Sequence, residues 1–170
     1  MGVLQTARPL GATDDLGAFS CGDSSMDEWV REKAHRAQAS RSASVWVCED
    51  GKGNVCGVFA FDHRRVVPAD VTGSAAGGLT EIPALLLARF ALRVDLRGAG
   101  VGEALMTEVF IAARESLAYV PARVLILDAK NARLAKWYEE KLDFVPTKTD
   151  PLKLYMPMKK LLATLDVVGL

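Results

Sequence analysis

The sequence predicts a mixed α/β fold with an antiparallel first half and a partly parallel centre. Three stretches carry that reading. Leu85–Leu117 runs as an apolar strand, a glycine-rich turn and an amphipathic helix. Ser44–Cys48 and Val55–Phe61 are rich in β-branched and aromatic residues; they flank the turn-forming connector Glu49-Asp50-Gly51-Lys52-Gly53-Asn54 and read as an antiparallel hairpin. Beyond the central helix, Arg123–Asp128 and a helix after Asn131 repeat the strand–helix order, a crossover that favours parallel neighbours.

Taken in order, Val3–Leu10 is a candidate first strand, and Pro9, with no N–H to give a ladder, confines it to an end or an edge. Ser25-Met26-Asp27-Glu28 has capping-box form, and Met26, Trp29, Val30, Lys33, Ala34 and Ala37 follow at helical spacing, so a helix is expected from about Met26 to Ala39. Its polar face is basic, with Arg31, Lys33, His35, Arg36 and the following Arg41 against Glu32. A solvated face explains such a pattern more simply than a phosphate site does. In the hairpin, Cys48 and Cys56 are expected to face each other. Pro68–Pro83, with Gly73, Ser74, Gly77 and Gly78, reads as a surface connector. Leu85–Leu92 is the central strand, interrupted only by Arg89, and Val101, Leu105, Val109, Ala112 and Ala113 mark one face of the next helix. Asn131 is placed to cap a helix reaching about Lys141. Lys153–Met158 closes as a strand with Pro157 near its end.

A chain of 170 residues, half of them apolar, fits one domain spanning 1–170 with a sizeable core. Net charge is zero and the pI is near 6.7, so any nucleic-acid contact has to use a local patch. The three cysteines lack CxxC spacing and the two histidines lie far from them, which argues against a disulfide framework and against a metal site. No signal-peptide pattern and no membrane-length apolar run is present, so a cytoplasmic protein without membrane attachment is expected. Met1-Gly2 with Thr6 fits the short myristoylation pattern, which is loose enough to arise by chance.

Arg97-Gly98-Ala99-Gly100-Val101-Gly102 lies between central strand and helix. Glycines there let backbone N–H groups approach an oxyanion, and the helix start adds partial positive charge. A turn that merely joins strand to helix is the competing reading. The run lacks the G-x-G-x-x-G of a dinucleotide fold and the Gly-Lys-Ser/Thr ending of a P-loop. Its order R-x-x-G-x-G after an apolar strand resembles the acetyl-CoA loop of the GCN5-related N-acetyltransferases, the GNAT superfamily, with Arg97, Gly100 and Gly102 at the motif positions. The segment Asn131-Ala132-Arg133-Leu134-Ala135-Lys136-Trp137-Tyr138, with Phe144 following, resembles the second signature of that superfamily. Asp143 stands where a glycine is usual, and Val94 where many members have proline. The two motifs cover Leu85 to Phe144.

The resemblance implies a GNAT fold: a mixed central sheet with antiparallel N-terminal strands and a parallel pair at the acetyl-CoA cleft, with helices on both faces. It also implies acetyl transfer from acetyl-CoA to an amine without a metal. Arg97, Gly98, Ala99, Gly100, Val101 and Gly102 would seat the pyrophosphate. Leu92, Arg93 and Val94 would hold the pantetheine and thioester, and Asn131 would line the cofactor. Tyr138, with a reference pKa near 10, would protonate the leaving thiolate. A tyrosine packed on the core beside Trp137 is the alternative. No general base stands out among Glu81, His63 and His35, which suits an α-amine near pKa 8 better than a lysine near 10.4.

Phe19-Ser20-Cys21-Gly22, Met26-Asp27-Glu28-Trp29-Val30, Arg36-Ala37-Gln38-Ala39-Ser40 and the tail from Pro146 to Leu154 resemble the GNAT toxins of bacterial toxin–antitoxin modules. That resemblance implies a toxin that acetylates the α-amine of aminoacyl-tRNA and blocks translation, a ribbon-helix-helix antitoxin partner and a homodimer. Arg36, Arg41, Arg89 and Arg93 would then meet acceptor-stem phosphates, the last two from one side of the central strand. A small-amine or protein N-terminal acetyltransferase and a non-catalytic CoA-binding module remain the alternatives.

Overall fold

A computed structural model describes residues 3–170, so the myristoylation-like Met1-Gly2 lies outside the described residues. The chain forms two compact units. One comprises 3–62 with 88–109, the other His63–Leu87 with Phe110–Leu170. Strands β1 (Arg8–Pro9), β2 (Ser44–Glu49), β3 (Val55–Val66), β4 (Ile82–Leu92), β5 (Val124–Asp128), β6 (Val145–Pro146) and β7 (Lys153–Pro157) follow the order β1-β2-β3-β4-β5-β7-β6. Strands β3 and β4 pass through both units.

In the first unit β1 is the short edge strand that Pro9 predicts; it has two residues rather than the eight of Val3–Leu10. It pairs antiparallel with β2, Arg8 opposite Val47. The expected hairpin forms, with Val45 opposite Ala60 and Val47 opposite Val58. Asp50 closes its connector by accepting the N–H groups of Lys52 and Asn54. Cys48 stands opposite Gly57 rather than Cys56, because the register shifts between Cys48 and Glu49; the Cys56 thiol donates to the Cys48 carbonyl at 3.5 Å. Burial pushes the Cys48 thiol up to about 12, and both sulfurs are free.

The N-terminal helix needs two corrections. It starts earlier, with α1 (Ser24–Glu28) capped by Asp23, whose carboxylate accepts from the Ser25 and Met26 N–H groups. Ser25 therefore sits inside the helix, and Asp27 is buried with a different task. The helix also widens through a π turn at Trp29–Lys33 before α2 (Ala34–Ser40). Arg41 ends it in a left-handed conformation, φ 62°. Val30 and Ala34 bury against Val45, Val47, Val58, Ala60 and Ala91, the core of this unit. Each fully buried valine here contributes roughly 1.5–3 kcal/mol and each alanine about one methyl's worth, roughly 0.8 kcal/mol.

In the second unit β4 and β5 run parallel, Leu85 opposite Leu125, as the strand–helix–strand order requires. Strand β4 starts at Ile82, before Pro83, so a proline expected in the connector occupies the beginning of a strand, where its missing N–H is tolerated. Strand β7 pairs antiparallel with β5 and with β6. Helices α3 (Val101–Ser116) and α4 (Ala132–Leu142) match expectation, α3 being shared between the units; α5 (Met158–Val167) was not anticipated. The connector before β4 is tied down. The Thr72 N–H donates to the Tyr155 hydroxyl, and Arg123 donates to the Ala75 and Ser74 carbonyls. No helix among the described residues is long and apolar enough to cross a membrane.

Candidate functional site

The glycine-rich loop belongs to the first unit. Gly98, Ala99 and Gly100 have φ of 83°, 53° and 77°, three consecutive left-handed residues immediately before α3. Such a conformation is natural for glycine and costs an alanine roughly 1–2 kcal/mol, so Ala99 stores strain here. All three residues are exposed, and a Cβ built at Gly98 or Gly100 would meet nothing within 4 Å. Successive backbone N–H groups at a helix start, with open space before them, suit an anion such as the pyrophosphate of CoA. Val101 turns inward at 9% exposure and fixes the helix to the core, while Gly102 follows in its first turn.

The residues before this loop are held in place. Strand β4 ends at Leu92, so Arg93 lies beyond it and does not continue the strand face carrying Arg89. The Arg93 guanidinium donates to Asp95 at 2.6 Å and to Asp50 at 2.9 Å. These pairs hold the Asp50 and Asp95 carboxyls below their ordinary range. The Arg93 N–H donates to the Cys56 carbonyl and the Val94 N–H to the Ser20 carbonyl. The backbone N–H groups of Arg93 and Val94 are thus already engaged, which sets both apart from an open donor. The Arg97 guanidinium donates to the Cys21 carbonyl.

Tyr138 lies in the second unit, on the inward face of α4. Asn131 caps that helix, its Oδ1 accepting the Leu134 N–H at 2.9 Å, so this oxygen is already engaged. Asp143 ends the helix with φ 58°, the left-handed residue its place in the signature demands, and aspartate tolerates it better than most residues. The chain then turns so that the Phe144 N–H reaches the Tyr138 carbonyl. The Tyr138 ring meets Trp137 and Phe144 edge-on, at 5.1 and 5.8 Å between centroids, and is 8% exposed. Burial pushes the phenol above its ordinary value. Its hydroxyl is protonated, and so a donor, throughout the neutral range.

The basic residues do not form one patch of equivalents. Arg36 and Arg41 are exposed. Arg31 donates to the Phe19 carbonyl, Lys33 pairs with Glu28, and the His35 ring meets the Asp14 carbonyl. Arg89 is half-buried with its guanidinium 5.0 Å from the centre of the Trp29 ring, a cation–π contact. Glu81 and His63 are exposed. Ser20, Cys21, Asp27, Asp50 and Asp95 are not among the site residues expected from the sequence; Ser20 and Cys21 lie in the Phe19–Gly22 stretch, and Asp27 in the Met26–Val30 stretch, that carry the toxin resemblance. Among the described residues no group of three or more His, Cys, Asp or Glu is arranged to hold a metal ion.

No protein-family model matches this chain. It is 27% identical over 161 residues to a tRNA-acetylating toxin of Mycobacterium tuberculosis, covering 94% of this chain and 95% of that protein. It is 26% identical over 155 residues to a probable toxin TacT of Sinorhizobium fredii, covering 85% of each. In fold it superposes on a tyrosine-to-phenylalanine variant of KacT with a TM-score of 0.83 at 17% identity, covering 94% and 98% of the two chains. AtaT complexed with acetyl-methionyl-tRNA gives 0.83 at 18% identity with the same coverage. A variant of AtaT bound to acetyl-CoA and the C-terminus of its antitoxin AtaR gives 0.78 at 18% identity, covering 95% and 97%. In sequence the chain is thus similar to a tRNA-acetylating toxin and a probable toxin TacT along most of its length, and in fold it is similar to KacT and AtaT.

Proposed function

We propose that this protein is an acetyl-CoA-dependent N-acetyltransferase that modifies the α-amine of an amino acid esterified to tRNA and thereby blocks translation. The observation that carries the reading is the exposed left-handed run Gly98–Gly100 opening α3. The full-length similarity to a tRNA-acetylating toxin supports the choice of acceptor. In this reading Arg97 to Gly102 seat the pyrophosphate through backbone N–H groups other than those of Arg97 and Val101, which donate to the Val94 and Gly98 carbonyls. Leu92 and the turn beyond it bind the pantetheine arm, and Asn131 lines the cofactor through whatever capacity its capping bond leaves. The cofactor supplies an acetyl group activated as a thioester.

Tyr138 donates from its hydroxyl to the departing sulfur as the C–N bond forms and the C–S bond breaks. A phenol raised above 10 is a weaker acid than a thiol near 8.5, so this hydrogen bond stabilises the charge developing on sulfur, and proton transfer through Tyr138 is completed as solvent reprotonates the phenol. The amine loses its proton to solvent. An α-amine beside an ester needs no dedicated base, which accords with Glu81 and His63 being exposed. Arg36, Arg41 and Arg89 meet acceptor-stem phosphates; Arg93, held by two carboxylates, orders the turn leading to the loop. The whole chain, 1–170, acts as one acetyltransferase domain in the cytoplasm, as a homodimer neutralised by a ribbon-helix-helix antitoxin.

The test is transfer of labelled acetyl from acetyl-CoA to total charged tRNA, with deacylated tRNA, free amino acids and peptides as competitors. Label on charged tRNA alone supports the reading. Label on free amines with no tRNA requirement moves the activity to a small-amine acetyltransferase, and acetyl-CoA binding without transfer to any amine leaves a binding module.

A further inference from the structure

Phe19-Ser20-Cys21-Gly22 and Asp27 form a connected set in the first unit that the proposed chemistry does not use. Asp27 is 7% exposed and sits one turn into the N-terminal helix. Its carboxylate accepts the Cys21 N–H at 2.7 Å and the Ser20 hydroxyl at 3.2 Å, with the Arg31 guanidinium at 4.0 Å. Arg31, brought round by the π turn, donates to the Phe19 carbonyl at 2.7 Å. The other side of the same backbone faces the glycine loop. The Ser20 carbonyl accepts the Val94 N–H at 2.9 Å, and the Cys21 carbonyl accepts the Arg97 guanidinium. Gly22, at φ 87°, lies alongside the same turn: a Cβ there would be in ordinary contact with Val94 Cγ2 at 3.5 Å and Arg97 Nη2 at 3.6 Å. Two side chains of one helix thus grip three consecutive residues, and two of those residues grip both ends of the turn leading into the loop.

We infer that Asp27 and Arg31 are positioning residues that set the affinity for acetyl-CoA by fixing Phe19–Gly22 as a strut for Val94 and Arg97. The inference rests on the glycine loop being the cofactor seat. A left-handed run carrying strain at Ala99 keeps its shape only while its flanks are held, and the strut holds the N-terminal flank. Asp27 is suited to this because its acceptor oxygens are turned inward to backbone and hydroxyl donors, not outward to solvent. Burial disfavours its charge, and the hydrogen bonds from Cys21 and Ser20 with the charge of Arg31 outweigh that, leaving the carboxyl below its ordinary range.

The experiment measures acetyl-CoA binding by calorimetry, and the transfer kinetics, for wild type, Asp27→Ala, Asp27→Asn and Arg31→Ala. Asp27→Ala should raise both the Kd and the KM for acetyl-CoA about tenfold, the equivalent of one charge-assisted hydrogen bond, with kcat within about twofold. Asp27→Asn keeps an oxygen for the Cys21 N–H and should stay within about threefold of wild type, a rescue that filling space alone would not require. Arg31→Ala, at the exposed side of the strut, should weaken binding about threefold. A folded Asp27→Ala with wild-type affinity, or one that loses kcat instead of affinity, overturns the inference. Should Asp27→Ala fail to fold, wild-type affinity in Arg31→Ala overturns it. Wild-type protein that does not bind acetyl-CoA refutes the cofactor seat itself, an outcome visible before any variant is compared.

Discussion

Replacing Gly100 by alanine separates the stability of the glycine loop from its proposed use. The residue has φ 77°, and a Cβ there meets no atom within 4 Å, so the substitution brings backbone strain without a clash. Left-handed strain costs an alanine roughly 1–2 kcal/mol, of which the narrower unfolded ensemble returns about 0.4–1 kcal/mol. The net loss is about 1 kcal/mol, or about 2–4 °C in Tm for a chain of this size. Ala99, already present at φ 53°, shows that the run accommodates a methyl group. The same methyl at Gly100 stands in the open space where an anion would approach the N–H groups. Losing one N–H contact to a charged group is worth about 1.5–3 kcal/mol, so the Kd for acetyl-CoA should rise at least about tenfold. Thermal scanning and calorimetry on the same preparation read both numbers. A variant that binds acetyl-CoA within about twofold of wild type would refute the anion-seat reasoning, whatever its Tm.

Three further outcomes follow from particular residues. In Gly57→Ala the new Cβ would stand 2.8 Å from Leu105 Cδ1, and because Leu105 is fully buried its rotamer has little room to give; overpacking of about 1–3 kcal/mol should lower Tm by several degrees. Denaturant melts should show stability constant from neutral pH down to the carboxylate range and then falling as pH drops below about 4. The sign follows from Asp14, Asp27, Asp50 and Asp95, whose folded pKa values are all lowered: the stability they confer is present above their unfolded pKa and is lost as acid protonates them. In pH–rate profiles Tyr138 should add no alkaline limb below about pH 10, since burial raises its pKa above the usual phenol value and keeps the acid form throughout. A Tyr138-dependent limb near pH 8–9 would contradict that burial.

Local chemistry made much of this molecule legible in its sequence. The hairpin, the central strand, α3 and α4 follow from periodicity, caps and turn residues a few positions apart, and they appear as expected; the left-handed Asp143 stands where the signature it resembles has glycine. Helix α5 was legible too: Met158, Leu161 and Leu165 are buried at helical spacing, a signal masked by its overlap with the preceding strand. The cap at Asp23 lies two residues before Ser25, which the capping-box pattern picks out. The commitments of the arginines were not legible at all. Arg93 finds Asp50 forty-three residues away and Arg97 finds Cys21 seventy-six residues away, and spacing along a chain does not say which carboxylate or carbonyl a long side chain will meet. The same holds for Arg89, whose partner Trp29 belongs to the N-terminal helix.

The measurement that tests the central claim most directly is single-turnover acetyl transfer to charged tRNA by wild type and Tyr138→Phe, with acetyl-CoA affinity measured alongside. The substitution removes the hydroxyl and leaves a ring of the same outline between Trp137 and Phe144. The account predicts a rate lower by about 10²–10⁴-fold with acetyl-CoA affinity unchanged. A variant that binds acetyl-CoA as wild type does and transfers at the wild-type rate would contradict it.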